Sequence, residues 1–242
     1  MIRLPPDFKE FLKLLDEKAF NYPSSATKEK KVKVADSNPS FDLEHLLGLA
    51  MTPDPEPLGG STTQISILDR QGNMVSLTQT LGTFFGSGVT AAGVLLNNAM
   101  SNFATGTKIN CIQPNKQPRS SIAPSMLLKN HKPFLVVGSP GAARIVNTVA
   151  ILIVNAVDFN MNAEQINNAP RFLCQKSDPF LSLEARFTPE VQEAMKKKGH
   201  NLQLYGDFDL FFGGAQIILV DPATGRFQGS ADPRRGGVAM GY

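Results

Sequence analysis

Two adjacent hydroxyls, Thr62 and Thr63, stand where a Pro/Gly-rich approach (PDPEPLGGS) gives way to a strand-like pattern. A threonine that opens a strand is ordinary by itself. It becomes a nucleophile when the peptide bond before it is cut, because the freed α-amine then serves as base for its own hydroxyl. An α-amine titrates near pH 8, so about a tenth of it is the neutral base at pH 7. That is enough for general-base work. Competing chemistries are thinly represented. His45, His131 and His200 are scattered over expected loops and surface helices, and no G-x-S-x-G turn accompanies a histidine. A Ser-His-Asp triad drawn from distant residues stays open at this level. No H-x-x-x-H, C-x-x-C or carboxylate cluster argues for a metal, and nothing in the pattern calls for a cofactor. Gly138-Ser139-Pro140-Gly141 lies between a strand and a helix and can aim N–H groups at an anion, but the signal is weak and a plain strand-to-helix turn explains it better.

The elements that must position these groups follow from periodicity. Residues 6 to 20 place Phe8, Phe11, Leu12, Leu15 and Phe20 near one side of a helix, and Leu43 to Met51 predicts a second, short one. Between and after them the chain is polar and proline-rich, so residues 1–61 read as an appendage and linker, with residues 62–242 as the folded domain. Thr62 to Leu68 and Met74 to Leu81 alternate like half-buried strands about the turn Asp69-Arg70-Gln71-Gly72-Asn73. A second hairpin is expected from Ile122 to Leu128 and Pro133 to Gly138, and a third from Ala215 to Val220 and Arg226 to Ser230. Gly141 to Val157 is apolar nearly all round, which predicts a helix buried on most sides. Asn162 to Asn168 predicts another. Thr188-Pro189-Glu190 starts a third, with proline at its first position and Gly199 as the stop. Strands, then helices, then strands make an α+β fold with helices layered on antiparallel sheet.

Composition bounds the function. The 242 residues suffice for one large domain or two small ones; 42% hydrophobic and 19% charged residues exclude wholesale disorder. Much of the net charge of +3 sits in Lys28 to Lys33, where no aromatics interleave, so a solvated surface fits better than a nucleic-acid patch. Cys111 and Cys174 are too few for a disulfide framework or a zinc site; one bridge or two free thiols both fit. The nearest thing to a membrane span, Ile145 to Val157, is too short. Met1 is followed by Arg3 and an amphipathic pattern rather than a signal peptide, so the compartment stays open.

From Thr62 to Tyr242 the blocks TTQISILDRQGNMVSLTQTL, FGSGV, GVLLNN, KQPRSSIAPS, KPFLVVGSPGAARI, NAVDFNMN, NAPRF and GSADPRRGGVAMGY come in an order that resembles the small, catalytic subunit of γ-glutamyltranspeptidases, which are N-terminal nucleophile hydrolases. The resemblance implies a four-layer αββα sandwich and a precursor that cuts itself at Ser61-Thr62 into a large and a small subunit. Residues 1–61 then look like only the tail of the large subunit, which is the expected partner. The implied substrate is a γ-glutamyl amide such as glutathione, attacked through an acyl-enzyme, with water or an amine as acceptor. Relatives are commonly exported or membrane-tethered.

The same resemblance assigns roles by position. Thr62 is the nucleophile and Thr80 the second threonine that supports it. Ser120 and Ser121 match the serine pair that binds the substrate's α-carboxylate. Gly141 and Ala142 stand where the family has Gly-Gly, whose N–H groups form the oxyanion hole; alanine keeps its N–H. Arg144, at the helix start, is expected to be structural. Gly82 replaces an asparagine. Ala99 and Asn102 replace the glutamine or glutamate and the aspartate that hold the substrate's α-ammonium. Losing such a buried charge partner costs about 2–5 kcal/mol. An amide whose α-nitrogen carries no charge therefore suits this pocket, which keeps poly-γ-glutamate and β-lactam side chains as alternative donors. A non-catalytic binding module is the other alternative. The segment Ala104 to Gln117 is short against the family's active-site lid, so an open cleft is expected.

Overall fold

The hairpin that carries Thr62 is closed by its own turn. β1 (Thr62–Leu68) and β2 (Met74–Thr80) pair antiparallel with Thr62 opposite Thr80. In the turn, the Asp69 carboxylate accepts from the Asn73 backbone N–H at 2.8 Å and from Asn73 Nδ2 at 2.7 Å, while Gly72 takes φ 87°. Those bonds hold the Asp69 carboxyl below its ordinary value of 3.8. The computed structural model describes residues 61–104, 109–175 and 179–242. The chain divides into two units, Met1–Pro57 and Leu58–Tyr242, and all described residues lie in the second. The two expected helices before residue 52, His45 and the lysine run lie outside the described residues.

A two-residue ladder, β3 (Thr90–Ala91) with β4 (Val94–Leu95), follows. Then β5 (Ser125–Lys129) and β6 (Lys132–Gly138) form the second hairpin. Its tip, Asn130-His131, has φ of 52° and 62°, the mirror-image turn whose twist matches the strands. α1 (Ile145–Val157) and α2 (Ala163–Asn168) come next, α2 opened by a reciprocal capping box between Asn162 and Gln165. β7 (Phe172–Cys174), β8 (Phe180–Glu184) and β9 (Asn201–Tyr205) form a separate sheet in which β8 and β9, joined through α3 (Pro189–Lys197), run parallel. β10 (Gln216–Val220) and β11 (Phe227–Ala231) make the third hairpin.

The central sheet is antiparallel, in the order β11-β10-β6-β5. On one face Leu135, Val137, Ile217 and Leu219 pack on Ile145, Val149, Leu152 and Ala156 of α1 and on Ile166 of α2. Burying a side chain such as Leu152 contributes about 1.5–3 kcal/mol. On the other face lies the β1–β2 hairpin. Its inward residues are polar: Ser66 Oγ donates to the Gln216 carbonyl at 2.9 Å and Ser76 Oγ to the Val137 carbonyl at 2.9 Å. Gln64 spans the layer, donating to Ser66 and Ser76 and accepting from Thr78 Oγ1. It fits because residue 138 is glycine; a Cβ there would overlap the Gln64 amide. Hairpin, sheet and helices are thus three successive layers, ββα, and the fold is α+β.

Several expectations shift in detail. α1 begins after a 3-10 turn at Ala142–Arg144 and is not buried all round: Val146 and Val157 are about half exposed. The strand expected from Ile122 begins at Ser125. Cys111 is buried, Cys174 exposed, and both thiols are free. The β7-β8-β9 sheet was not anticipated, because its strands are short and two of them pair parallel across α3, which leaves no hairpin signature. No helix among the described residues is long and apolar enough to cross a membrane.

Candidate functional site

The end of the hairpin builds the site by a strand rule. Leu81 N–H donates to the Ser61 carbonyl at 3.2 Å, so 61 and 81 are hydrogen-bonded partners. The next pair, Thr62 and Thr80, is therefore of the non-hydrogen-bonded kind, in which side chains approach most closely. The two hydroxyls meet at 2.9 Å, Thr62 donating and Thr80 accepting, and Thr62 is 8% exposed. Thr80 Oγ1 also accepts from the Gly82 N–H at 2.8 Å. The Gly82 carbonyl in turn accepts from Ser61 N–H at 3.2 Å. One connected set of bonds thus joins Ser61, Thr62, Thr80 and Gly82.

Gly82 takes φ 88°, and a Cβ on it would lie 1.8 Å from Asn98 Oδ1. The Asn98 amide fills the space that an asparagine at 82 would need. It accepts from Thr83 N–H at 3.1 Å and donates to Thr83 Oγ1 at 2.9 Å, while its backbone N–H donates to the Leu81 carbonyl at 2.9 Å. Sequence reasoning assigned Asn98 nothing, although it lies in the GVLLNN block. It ties the exposed turn Ala99–Asn102 to the end of β2. Asn102 itself is exposed, and its carbonyl accepts from Asn110 Nδ2 at 2.8 Å.

The second cluster forms where β6 ends. Gly141 (φ 140°) and Ala142 (φ 52°) turn the chain into α1 with consecutive positive φ, and Ser121 Oγ donates to the Ala142 carbonyl at 2.7 Å. That bond holds a backbone state that costs a non-glycine residue about 1–2 kcal/mol. Ser120 Oγ accepts from the Ile122 N–H at 3.1 Å and bonds to no other expected site residue. Arg144 is buried, its guanidinium 4.6 Å from the Phe211 ring centre. Thus the structure bonds Thr62 to Thr80 and Gly82, and Ser121 to Ala142, but no hydrogen bond links either group to Ser120 or Asn102. His131 and His200 are exposed, and no group of three or more metal-ligating side chains occurs among the described residues.

Beneath the site lies a buried ion cluster that sequence reasoning also missed. Arg171 Nη2 sits 2.6 Å from Asp232 Oδ2, Arg234 Nε 2.5 Å from Glu184 Oε1, and Arg186 Nη2 2.8 Å from Glu184 Oε2. Asp232 further accepts from Ala215 N–H at 2.7 Å, and Arg171 donates to the Phe212 carbonyl at 3.0 Å. Burial lowers the Arg171 guanidinium to about 10 despite these partners. The cluster pins the segment Phe212–Ala215 and the stretch after β11. From that stretch Arg235 lays its methylenes over Gly214, where a Cβ would come within 2.7 Å, and donates to the Thr62 carbonyl at 3.2 Å. Arg235 and Thr62 also border a cavity of about 430 Å³ along the open edge of β1, and none of the other expected site residues lines it.

A threonine hydroxyl at the start of a hairpin strand, laid on a helix-backed antiparallel sheet, defines an N-terminal nucleophile hydrolase fold, and the solved neighbours share it. A chain of Helicobacter pylori gamma-glutamyltranspeptidase superposes with a TM-score of 0.65 at 39% identity, over 72% of this chain and 100% of that one. Cephalosporin acylase from Bacillus halodurans gives a TM-score of 0.64 at 30% identity, over 71% of this chain and 32% of that one. The glutathione hydrolase proenzyme of Escherichia coli K12 is 38% identical over 186 residues, which cover 72% of this chain and 31% of that protein. The Gamma-glutamyltranspeptidase family model matches residues 9–242, and the chain belongs to that family. It spans about a third of the length of the curated relatives it matches.

Proposed function

We propose that residues 62–242 form the catalytic part of an autoprocessing γ-glutamyl hydrolase or transferase that acts on glutathione-like amides. The observation that carries it is the Thr62–Thr80 hydroxyl pair at 2.9 Å, at the buried start of β1, in a chain of this family. In the uncut chain the Thr62 hydroxyl attacks the Ser61 carbonyl carbon. The Leu81 N–H, 3.2 Å from that carbonyl oxygen, stabilises the charge that develops on it. The amide nitrogen of Thr62 leaves as an α-amine, and water hydrolyses the resulting ester. In the mature protein the same hydroxyl, its proton taken by that amine, attacks the γ-carbonyl of the donor. The N–H groups of Gly141 and Ala142 receive the oxyanion, and Ser120 and Ser121 bind the α-carboxylate, Ser121 by turning its hydroxyl from the Ala142 carbonyl to the substrate.

A large-subunit partner is supported by the outer face of the hairpin. Ile65, Ile67, Val75 and Leu77 point away from the sheet and are 39–50% exposed. A row of β-branched and leucine side chains facing outward is what a covering layer requires, and four-layer packing would supply one.

Mass spectrometry and γ-glutamyl-p-nitroanilide turnover test the proposal. A species that begins at Thr62, with activity abolished by Thr62→Ala, supports it; a chain that stays intact and inactive beside its large subunit overturns it. A second reading, an acylase for donors with an uncharged α-nitrogen, is favoured by Ala99 and Asn102, which offer no carboxylate to an ammonium. It predicts that glutaryl-p-nitroanilide is turned over faster than the γ-glutamyl compound.

A further inference from the structure

Resting on the reading above, we infer that Arg235 is a positioning residue that keeps the freed α-amine of Thr62 in its neutral, proton-accepting form near pH 7. In an extended strand a residue's own N–H and C=O point to the same edge. Thr62 forms no ladder bond to β2, so both its groups face the open edge of β1. Arg235 occupies that edge, its Nη1 3.2 Å from the Thr62 carbonyl. Scission removes Ser61 but leaves the nitrogen on the same Cα. The new amine therefore emerges on the side where a fixed cation already stands. A like charge at this range disfavours protonation.

The remaining charges point the same way. Arg235 is the only charged side chain among the described residues that line the cavity along this edge. Burial pushes the Arg235 guanidinium below its ordinary value, and Arg144, from the turn that begins at Ala142, pushes in the same direction against a smaller opposing pull from Asp232. The nearby anion, Asp232, is already engaged by Arg171 at 2.6 Å and by Arg234 at 3.2 Å, so its field is largely offset. Thr80, opposite Thr62, and Gln64, Pro140, Gly214 and Gln216, which line the same cavity as Thr62, carry no charge. Among the described residues lining this edge, the amine is thus met by the positive charge of Arg235. Its proton leaves at a lower pH than that of a free terminus, which raises the fraction of base available to the hydroxyl.

The experiment uses the full-length protein with its large subunit, as wild type, Arg235→Gln and Arg235→Lys. Two readouts are compared: the acid limb of kcat/KM, and the pH dependence of Thr62 α-amine labelling by a trace of acetic anhydride, read by mass spectrometry. The wild-type amine should titrate below the ordinary range of about 7.7–8.0. Arg235→Gln, which keeps a donor for the carbonyl but removes the charge, should move both readouts up by about one pH unit. On the acid side that is a roughly tenfold loss of kcat/KM, with the alkaline plateau little changed. Arg235→Lys should stay within a few tenths of wild type. A wild-type amine in the ordinary range, or an Arg235→Gln variant that loses activity equally at every pH, overturns the inference. If Arg235→Gln blocks scission, the same subunits are expressed separately, with Thr62 exposed by removal of an initiator methionine. A wild type with no Thr62 terminus and no Thr62-dependent turnover would instead sink the proposed function itself.

Discussion

Replacing Gly82 by asparagine, the residue the family carries there, should damage this protein rather than repair it. The magnitude follows from the local geometry. A Cβ at 82 would sit 1.8 Å from Asn98 Oδ1, so the Asn98 side chain must swing away. That breaks its bonds with Thr83 N–H and Thr83 Oγ1, at about 1 kcal/mol each. The backbone at φ 88° adds about 1 kcal/mol for a residue with a side chain, even for asparagine. The sum is about 3 kcal/mol, or roughly 6–12 °C of melting temperature for a domain of this size. Asn98→Gly alone loses about 2 kcal/mol of the same bonds. In the double variant only the backbone cost remains on top of that loss, so the total stays at about 3 kcal/mol instead of an additive 5. Calorimetry on the four proteins completes the cycle. A Gly82→Asn loss under about 1 kcal/mol, or strict additivity with Asn98→Gly, would refute the claim that Asn98 owns this space.

Glu184→Ala should cost about 3–5 kcal/mol, because it removes the two-oxygen partner of the buried Arg234 guanidinium, leaving it only the longer carboxylate contact to Asp232, and takes the carboxylate from Arg186; chemical denaturation reads this directly. Ala142→Gly should raise the melting temperature by about 2–4 °C, since glycine adopts φ 52° without the side-chain penalty, with the Ser121 bond retained; a drop would show that this backbone carries no strain. The Asp69 carboxyl is depressed below its ordinary value of 3.8, so its turn bonds stabilise fully above that pH and are lost as the pH falls through the folded value. Acid titration of stability below pH 4 should therefore flatten in Asp69→Asn, and an unchanged slope would contradict the assignment.

What the chain alone determined is what lies close together in sequence. The turn at Asp69 to Asn73 sets the register of β1 and β2, and that register by itself puts Thr62 opposite Thr80 eighteen residues later. Asn162 with Gln165, Pro189 and Gly199 mark their helices for the same local reason, since the bonds they make or spare lie within one turn. The matching blocks carried the family. What only the tertiary structure decided is which of two equivalent faces is used and which distant groups meet. Alternation in β1 and β2 marks a polar and an apolar face, and a period of two says nothing about which one turns inward. The central sheet took Gln64, Ser66 and Ser76, because its backbone carbonyls and the missing side chain of Gly138 gave them partners and room. That left Ile65, Ile67, Val75 and Leu77 facing out. Likewise Asn98 against Gly82, Arg234 on Glu184 and Arg235 on the Thr62 carbonyl join residues 16, 50 and 173 positions apart. No local pattern encodes such contacts, because they exist only once the layers have packed.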